Sequence, residues 1–373
     1  MQRAESMTYT ELKIRLMRQG AIFTLAARSV MCKDRFGSIS FSDYATTSGV
    51  VTVLDKRVYV NIPIKIQGTP FLIDRSDTEF SLSYQGKLLP VSVRIIPPPA
   101  YALNAIRLDD NTPVRELVMT HADRTRISPV YGCSYHCNFC TCNMPTYHEN
   151  SCEQLDKALK IALADPYNTP NHILISGGTP RGTLESYRWI NKIYYYFPKN
   201  YPQFDFDVML SPRGMLPGQS SDQDYDEFLH FLHDKCGVKT LSVNLELYND
   251  TLRDRYIPEK HTIGKENYYR FIRQAVTIFG AGRIRSSLVV GIESGEDTLM
   301  GVRSLVGCGC LPVLSAFIPA FGTDAAGLPA PSVDLLLDVV TQASQIAADA
   351  NMQLGPLCRP CTHNSLTIEA GEI

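Results

Sequence analysis

Tyr131-Gly-Cys-Ser-Tyr-His-Cys-Asn-Phe-Cys140 sets Cys133, Cys137 and Cys140 in a C-x3-C-x2-C array. Three thiolates in one short loop can converge on a single centre, and soft sulfur suits zinc or an iron–sulfur cluster. A closed structural zinc site or an ordinary cubane takes four ligands. Three leave one metal position open, as a catalytic centre requires. Three plainer readings compete with this one. Cys142 is available as the fourth ligand of a zinc knuckle, the thiols suit scattered burial as small hydrophobes, and a disulfide framework is the third.

Working outward, the chain after residue 126 alternates apolar runs with helix-like segments. The runs are 126–131, 172–176, 205–210, 239–245, 284–290 and 311–317. The helical segments fall near 151–164, 184–195, 222–235, 265–279, 294–306 and 333–349. Strands alternating with helices of this length imply a parallel sheet with right-handed crossovers. Six units fall short of the eight that close a TIM barrel. The cysteine loop directly follows the first strand, where α/β barrels carry their chemistry. Pro129 is awkward in a ladder and suits an edge strand.

These features together resemble the radical S-adenosylmethionine (radical SAM) superfamily. The resemblance covers roughly residues 126–325. It implies an α/β fold with a partial (β/α)6 TIM-like barrel, an N-terminal β-rich extension and a C-terminal cysteine-containing tail. It also implies that Cys133, Cys137 and Cys140 hold a [4Fe–4S] cluster whose remaining iron binds S-adenosylmethionine. Reductive cleavage would give a 5′-deoxyadenosyl radical that takes hydrogen from a substrate. An external one-electron donor such as flavodoxin or ferredoxin is implied as a partner. A 3-amino-3-carboxypropyl radical and a non-catalytic zinc- or cluster-binding regulatory module are the alternatives.

Several residues carry candidate roles through that resemblance. Phe139, inside the loop, falls where the family places an aromatic near adenine. Ser176-Gly-Gly-Thr-Pro180 resembles a Gly-Gly-Glu segment whose backbone binds the methionine amino group, with Thr179 in place of the acid, giving Gly177, Gly178 and Thr179. Ser242, Asn244 and Glu246 share one strand face by period-two alternation, and ribose hydroxyls and an ammonium would supply their partners. Arg285, pointing inward, is a candidate for the methionine carboxylate. Val290-Gly-Ile-Glu293 matches half of an adenine-contacting segment, which brings in Gly291. Arg213 is a candidate carboxylate clamp or a surface ion-pair partner. In the tail, Cys358 and Cys361 form a C-x2-C pair. They are read as catalytic, as hydrogen-atom donors or substrate contacts if the tail folds over the barrel top, with a pair of buried thiols in a C-terminal plug as the other reading. A four-cysteine cluster with Cys308 and Cys310 is disfavoured, since those two precede the sixth strand.

The divisions expected are 1–120, an α+β region of unknown role; 121–325, the barrel; and 326–373, a helix and tail. The first region should hold a helix near 10–18, a second within 21–35 and a small antiparallel β unit over 38–110. Pro97-Pro-Pro99 and the polar segment after it suggest a linker.

Composition limits the function classes. The 373 residues carry a net charge of -2, with 44% hydrophobic and 20% charged residues. That balance gives no global attraction to nucleic acid or to a membrane surface. Eleven cysteines and no export signal suggest reduced thiols in the cytoplasm, and the odd count precludes complete pairing. A small-molecule substrate in a biosynthetic pathway is the expectation.

Overall fold

A computed structural model describes residues 7–31, 49–143 and 146–368. The N-terminal region starts with the helix Tyr9–Gln19, which Thr8 caps by accepting from the Glu11 amide. Strand β1 (Ala21–Phe23) and the helix Leu25–Met31 follow. Then come β2 (Gly49–Leu54), β3 (Val58–Lys65), β4 (Phe71–Ser76), β5 (Glu79–Tyr84), β6 (Lys87–Leu88) and β7 (Val93–Ile95). They form one seven-stranded sheet in the order β4-β1-β3-β2-β7-β5-β6, with β4 also paired to β5. Most pairs are antiparallel, but β1 runs parallel to both β3 and β4, so the sheet is mixed. Within the 21–35 segment Leu25–Met31 is helical, and the first residues are drawn into the sheet as β1. The parts of that segment and of the expected β unit within 32–48 lie outside the described residues.

Residues 97–111 do not behave as a free linker. They include the helix Ala100–Leu103, and Tyr101 is buried with its hydroxyl donating to Thr120 Oγ1 at 3.1 Å. An apolar ring anchored by a hydrogen bond overrides the local polarity of the segment.

The second sheet contains β8 (Val118–His121), β9 (Arg124–Ile127), β12 (His172–Ile175), β13 (Asp205–Met209), β14 (Thr240–Ser242), β15 (Ile284–Val290) and β16 (Leu311–Ala316). The short strands β10 (Val130–Tyr131) and β11 (His148–Glu149) pair antiparallel apart from it. The order β16-β15-β14-β13-β12-β9-β8 places six consecutive strands in parallel. Sequential parallel order with right-handed crossovers puts the helices on one face and curls the sheet into an open (β/α)6 barrel. The crossover helices Cys152–Leu163, Leu184–Asn200, Lys265–Phe279 and Gly295–Gly307, and the helix Val333–Asp349 after the last strand, lie close to the periodicity expected. After β13 the helix Asp222–His230 continues as a π turn, Phe231–Cys236.

The two sheet edges differ from expectation. The first barrel strand ends at Ile127, before Pro129, and β8 pairs antiparallel on its outer side. Pro129 is therefore in no ladder, and the edge strand is β8. At the other edge the C-terminal tail follows β16, with Gly355 N–H donating to Pro312 O and Leu366 N–H to Leu314 O. An edge strand left bare invites pairing with another chain, and the tail covers this one. Among the described residues no helix is long and apolar enough to cross a membrane.

Candidate functional site at the carboxyl end of the barrel

The cysteine loop leaves through β10 and returns through β11, a two-residue antiparallel neck where the Tyr131 and His148 rings stack at 4.8 Å. Elements from three other β/α units hold it. Behind β12, Ser134 N–H donates to Thr179 O at 3.1 Å, Ser134 Oγ donates to Pro180 O at 3.0 Å, and Thr179 N–H donates to Cys133 Sγ at 3.1 Å. Behind β14, Asn138 N–H donates to Tyr256 O at 2.8 Å and its side-chain amide to Arg255 O at 2.7 Å. The Glu259 carboxylate there takes both the backbone and the ring nitrogen of His136. Behind β16, Ala325 N–H donates to Asn138 O at 3.0 Å.

Gly178 explains how the loop reaches the second strand. An ideal Cβ there would stand 1.7 Å from Gly132 O and 2.7 Å from Cys133 Cα. No side chain fits between strand end and cysteine loop. Gly177, at φ +138°, turns the chain into that contact.

Cys133, Cys137 and Cys140 are half-buried. Cys137 and Phe139 pack on Leu247, Tyr256, Ile257, Val289, Phe317 and Ala325. Burial pushes the Cys137 thiol up to about 12, so a cation must displace its proton before it can ligate. Cys140 shares a hydrogen bond with Cys142 that raises the first thiol and lowers the second. Backbone amides already aim at two of the sulfurs: Tyr135 N–H at Cys133 and Cys142 N–H at Cys140, both at 3.4 Å. Such bonds favour the thiolate.

The sulfurs are not gathered round a point. Among the described residues the one set of three or more ligand atoms lying within 4.8 Å of each other is elsewhere. A tetrahedral zinc ion with bonds of about 2.3 Å draws its sulfurs to roughly 3.8 Å apart. Three thiols spread along a braced loop instead suit separate corners of a larger cluster. Three thiol donors in one loop fit a [4Fe–4S] centre with one corner left open.

A polar row crosses the neighbouring strand ends. Ser176 Oγ donates to Met209 Sδ at 3.3 Å, Asn244 Nδ2 approaches the same sulfur at 3.7 Å, and Ser242 Oγ donates to Asn244 Oδ1 at 2.9 Å. Ser287 N–H donates to Asn244 Oδ1 at 3.2 Å. Glu246, at φ +68°, meets Lys260 Nζ at 2.9 Å, and the same ammonium donates to Asn244 O at 3.0 Å. Burial alone would lower Lys260, but the Glu246 charge outweighs it and the ammonium is held above its usual range. Lys260 escaped the sequence reading, because a lysine on the short helix Pro258–Ile263 looks like surface.

Other candidates fall elsewhere. Arg285 is the second residue of β15, at its amino end, and its guanidinium is paired with Asp207 of β13. Asp207 also accepts from Thr240 of β14. The arginine knits three strands at the barrel floor, away from the cysteine loop. Gly291 lies at the carboxyl end, at φ +111°, but its open side faces Pro331, whose ring atoms begin 2.8 Å from an ideal Cβ. Arg213 is neither clamp nor surface charge. It is buried between Tyr187 at 3.9 Å and Phe228 at 4.5 Å and bonded to Asn191. Phe317 joins the apolar wall under Cys137, whereas Phe321 is exposed at the mouth.

The tail cysteines require a correction. Cys358 and Cys361 lie under the barrel, not over it. Cys361 Sγ is 3.2 Å from Nε2 of His172, the first residue of β12, and Cys358 Sγ is 3.7 Å from Asp123, just before β9. The tail plugs the amino mouth, so these thiols cannot reach chemistry at the cysteine loop. Cys308 and Cys310 are buried near the start of β16 and take no part in that group.

No protein-family model matches the chain, and no curated protein does. Solved structures align loosely. One is a radical SAM methyltransferase from Sphaerobacter thermophilus, at 19% identity over 79% of this chain and 77% of that one, with a TM-score of 0.46. Another is Streptococcus suis SuiB bound to S-adenosylmethionine, at 13% identity over 67% and 54%, with a TM-score of 0.47. A Bacteroides thetaiotaomicron structure described as an alpha-L-fucosidase also aligns, at 8% identity over 62% and 72%, with a TM-score of 0.35. The assignment of function rests on the cysteine loop itself.

Proposed function

We propose that the chain is a radical SAM enzyme, with Cys133, Cys137 and Cys140 as the three protein ligands of a [4Fe–4S] cluster. The observation that carries this reading is the loop: three thiols, braced from three β/α units, at the carboxyl end of an open parallel barrel. Among the described residues these three sulfurs are not one of the groups close enough to hold a single ion. Cys133, Cys137 and Cys140 would hold the cluster, which would supply the electron for reductive cleavage of S-adenosylmethionine to methionine and a 5′-deoxyadenosyl radical.

The chain's own residues orient and shield the reactants. The polar row of Ser242 and Asn244 faces ribose hydroxyls, and the Glu246–Lys260 pair presents one carboxylate oxygen to the methionine ammonium. Backbone around Gly177 and Gly178 approaches without side-chain obstruction. The Thr179 amide is already engaged with Cys133, so its contribution is to hold the cysteine loop. Phe139 and Phe317 form the apolar wall that excludes water from the radical. A small-molecule substrate enters through the open side of the barrel, and flavodoxin or ferredoxin supplies the electron.

Anaerobic reconstitution with iron and sulfide, then dithionite and S-adenosylmethionine, tests the proposal. About four irons and four sulfides per chain are expected, with 5′-deoxyadenosine and methionine as products. Cys137→Ala should abolish both, and normal product yield from that variant overturns the assignment. A 3-amino-3-carboxypropyl fragment from labelled S-adenosylmethionine would show the other bond breaking. Zinc in place of iron would leave a non-catalytic module.

A further inference from the structure

We propose that Asp123, His172, Cys358 and Cys361 form a closed, structural zinc site that staples the C-terminal tail across the amino mouth of the barrel. Among the described residues they are the one group of such side chains whose ligand atoms all lie within 4.8 Å of one another. The set is two thiols, one imidazole and one carboxylate, all donors zinc accepts in tetrahedral sites. Bonds of about 2.0–2.3 Å would place these atoms roughly 3.3–3.8 Å apart. Cys361 Sγ to His172 Nε2 is already 3.2 Å, and Cys358 Sγ to the two Asp123 oxygens 3.7 and 3.8 Å. Small rotamer adjustments close the shell.

The backbone is arranged for it. Cys361 N–H donates to Cys358 O at 3.0 Å, which folds the C-x2-C segment into a tight turn that presents both sulfurs on one side. His172 opens β12 and sits in register beside Arg124 of β9. Asn171 holds Asp123 twice, its amide donating to Asp123 O at 2.7 Å and its side chain to Asp123 Oδ2 at 3.4 Å. Such outer contacts fix the orientation of a ligating carboxylate. Two thiolates and a carboxylate with a divalent cation leave one negative charge, and Arg124 is beside it. Four protein donors leave no open position, so the site is structural rather than catalytic.

Its position says what it secures. The tail covers the edge of β16, then crosses beneath the sheet to β12 and the β8–β9 turn. Beyond the site, Thr362 O and Thr367 O accept from the buried Lys13 ammonium at 2.8 and 2.6 Å, tying the first helix to the same plug. One ion would therefore link the far edge of an open barrel, its first strands and the N-terminal helix.

The test is metal analysis of the full chain, independent of the iron site. Cys133→Ala/Cys137→Ala/Cys140→Ala should lose iron and keep about one zinc per chain, and Cys358→Ser/Cys361→Ser should lose the zinc. Because the second variant is at risk of misfolding, chelator-stripped wild type is titrated with Zn2+ and Co2+. One equivalent should bind, raise the melting temperature by several degrees, and give the absorption of tetrahedral thiolate-bound cobalt. Equal zinc in wild type and Cys358→Ser/Cys361→Ser overturns the proposal. So does stripped wild type that takes up no metal, iron with sulfide persisting in the cysteine-loop triple variant, or a Cys358–Cys361 disulfide recovered from the native protein.

Discussion

Replacing Gly178 with alanine tests how strictly the strand end and the cysteine loop are fitted to each other. The new Cβ would lie 1.7 Å from Gly132 O, and ordinary contact begins near 3.4 Å, so loop and strand must separate by about 1.7 Å. Both obstructing atoms are backbone, and no side chain can rotate away. Gly178 has no left-handed backbone angle, so the cost is steric. Overpacking of this kind costs about 1–3 kcal/mol, offset in part by about 0.4–1 kcal/mol from a stiffer unfolded chain. Scaled to a chain of this length at roughly 2.1 cal/mol/K per residue, a net 2 kcal/mol lowers the melting temperature by only about 2–3 °C. The loss of function should be far larger, because a displacement of about 1 Å at a reacting centre can cost about 100-fold. The assay pairs calorimetry with iron content and 5′-deoxyadenosine yield after anaerobic reconstitution. Gly182→Ala is the control, since nothing lies within 4 Å of a Cβ there. Wild-type iron content and product yield in Gly178→Ala would refute the claim that this contact sets the cysteine loop.

Three further outcomes follow from buried charges. Lys260→Met leaves Glu246 without its partner at a site where both side chains are mostly buried; chemical denaturation should show a loss of about 3–5 kcal/mol, partly recovered by adding Glu246→Gln, and an unchanged midpoint would contradict the pairing. Lys13 is buried completely, which lowers its pKa to about 7. The unfolded chain then binds the extra proton between about pH 7 and 10.4, so stability should rise with pH across that window by at most about 1.4 kcal/mol per unit. Urea midpoints at pH 7.5 and 9 should diverge for wild type and less so for Lys13→Met; parallel profiles would refute the shift. Arg285→Lys should weaken the barrel floor beside Asp207 while the folded fraction keeps its 5′-deoxyadenosine yield, and a selective loss of turnover would return Arg285 to the cofactor.

What the sequence made legible is what local periodicity encodes. The six strand–helix units and the cysteine loop after the first strand are short-range patterns, and the helices Lys265–Phe279 and Val333–Asp349 fall where apolar spacing puts them. The misreadings are contacts between distant segments. Alternation gives Arg285 a side and not a height, and the structure sets it at the amino end of β15, paired with Asp207. Arg213 has the pattern of a charge in search of an anion, yet two aromatic rings, Asn191 and the Gly214 carbonyl hold it inside the fold. Asp123 and His172 show no local signal at all, since their partners stand some 190–235 residues later. No local pattern says which mouth of the barrel the tail closes, so a tail over the top and a buried plug are equally open in the sequence, and the contacts to Asp123 and His172 decide for the plug.

The two mouths divide the work in a way that follows from the open sheet. A closed eight-stranded barrel supports its top loops by continuity, every strand having two neighbours. Here β16 has a strand on one side only, and no pairing joins it to β8 to close the sheet. The cysteine loop compensates by borrowing backbone groups from behind β12, β14 and β16, so its position depends on the relative placement of strands across the whole sheet. Any splaying of the open edge would be felt at Asn138, which bonds to Tyr256 and Ala325 together. The tail is what opposes that splaying: it leaves β16 at Gly355, passes under the lumen to Asp123 and His172, and returns to β16 at Leu366. The plug at the amino mouth is thus a mechanical condition for a fixed cysteine loop at the carboxyl mouth. Loosening the plug should raise hydrogen exchange at the Asn138 and Ala325 amides before it unfolds the barrel, and unchanged exchange there would separate the two ends.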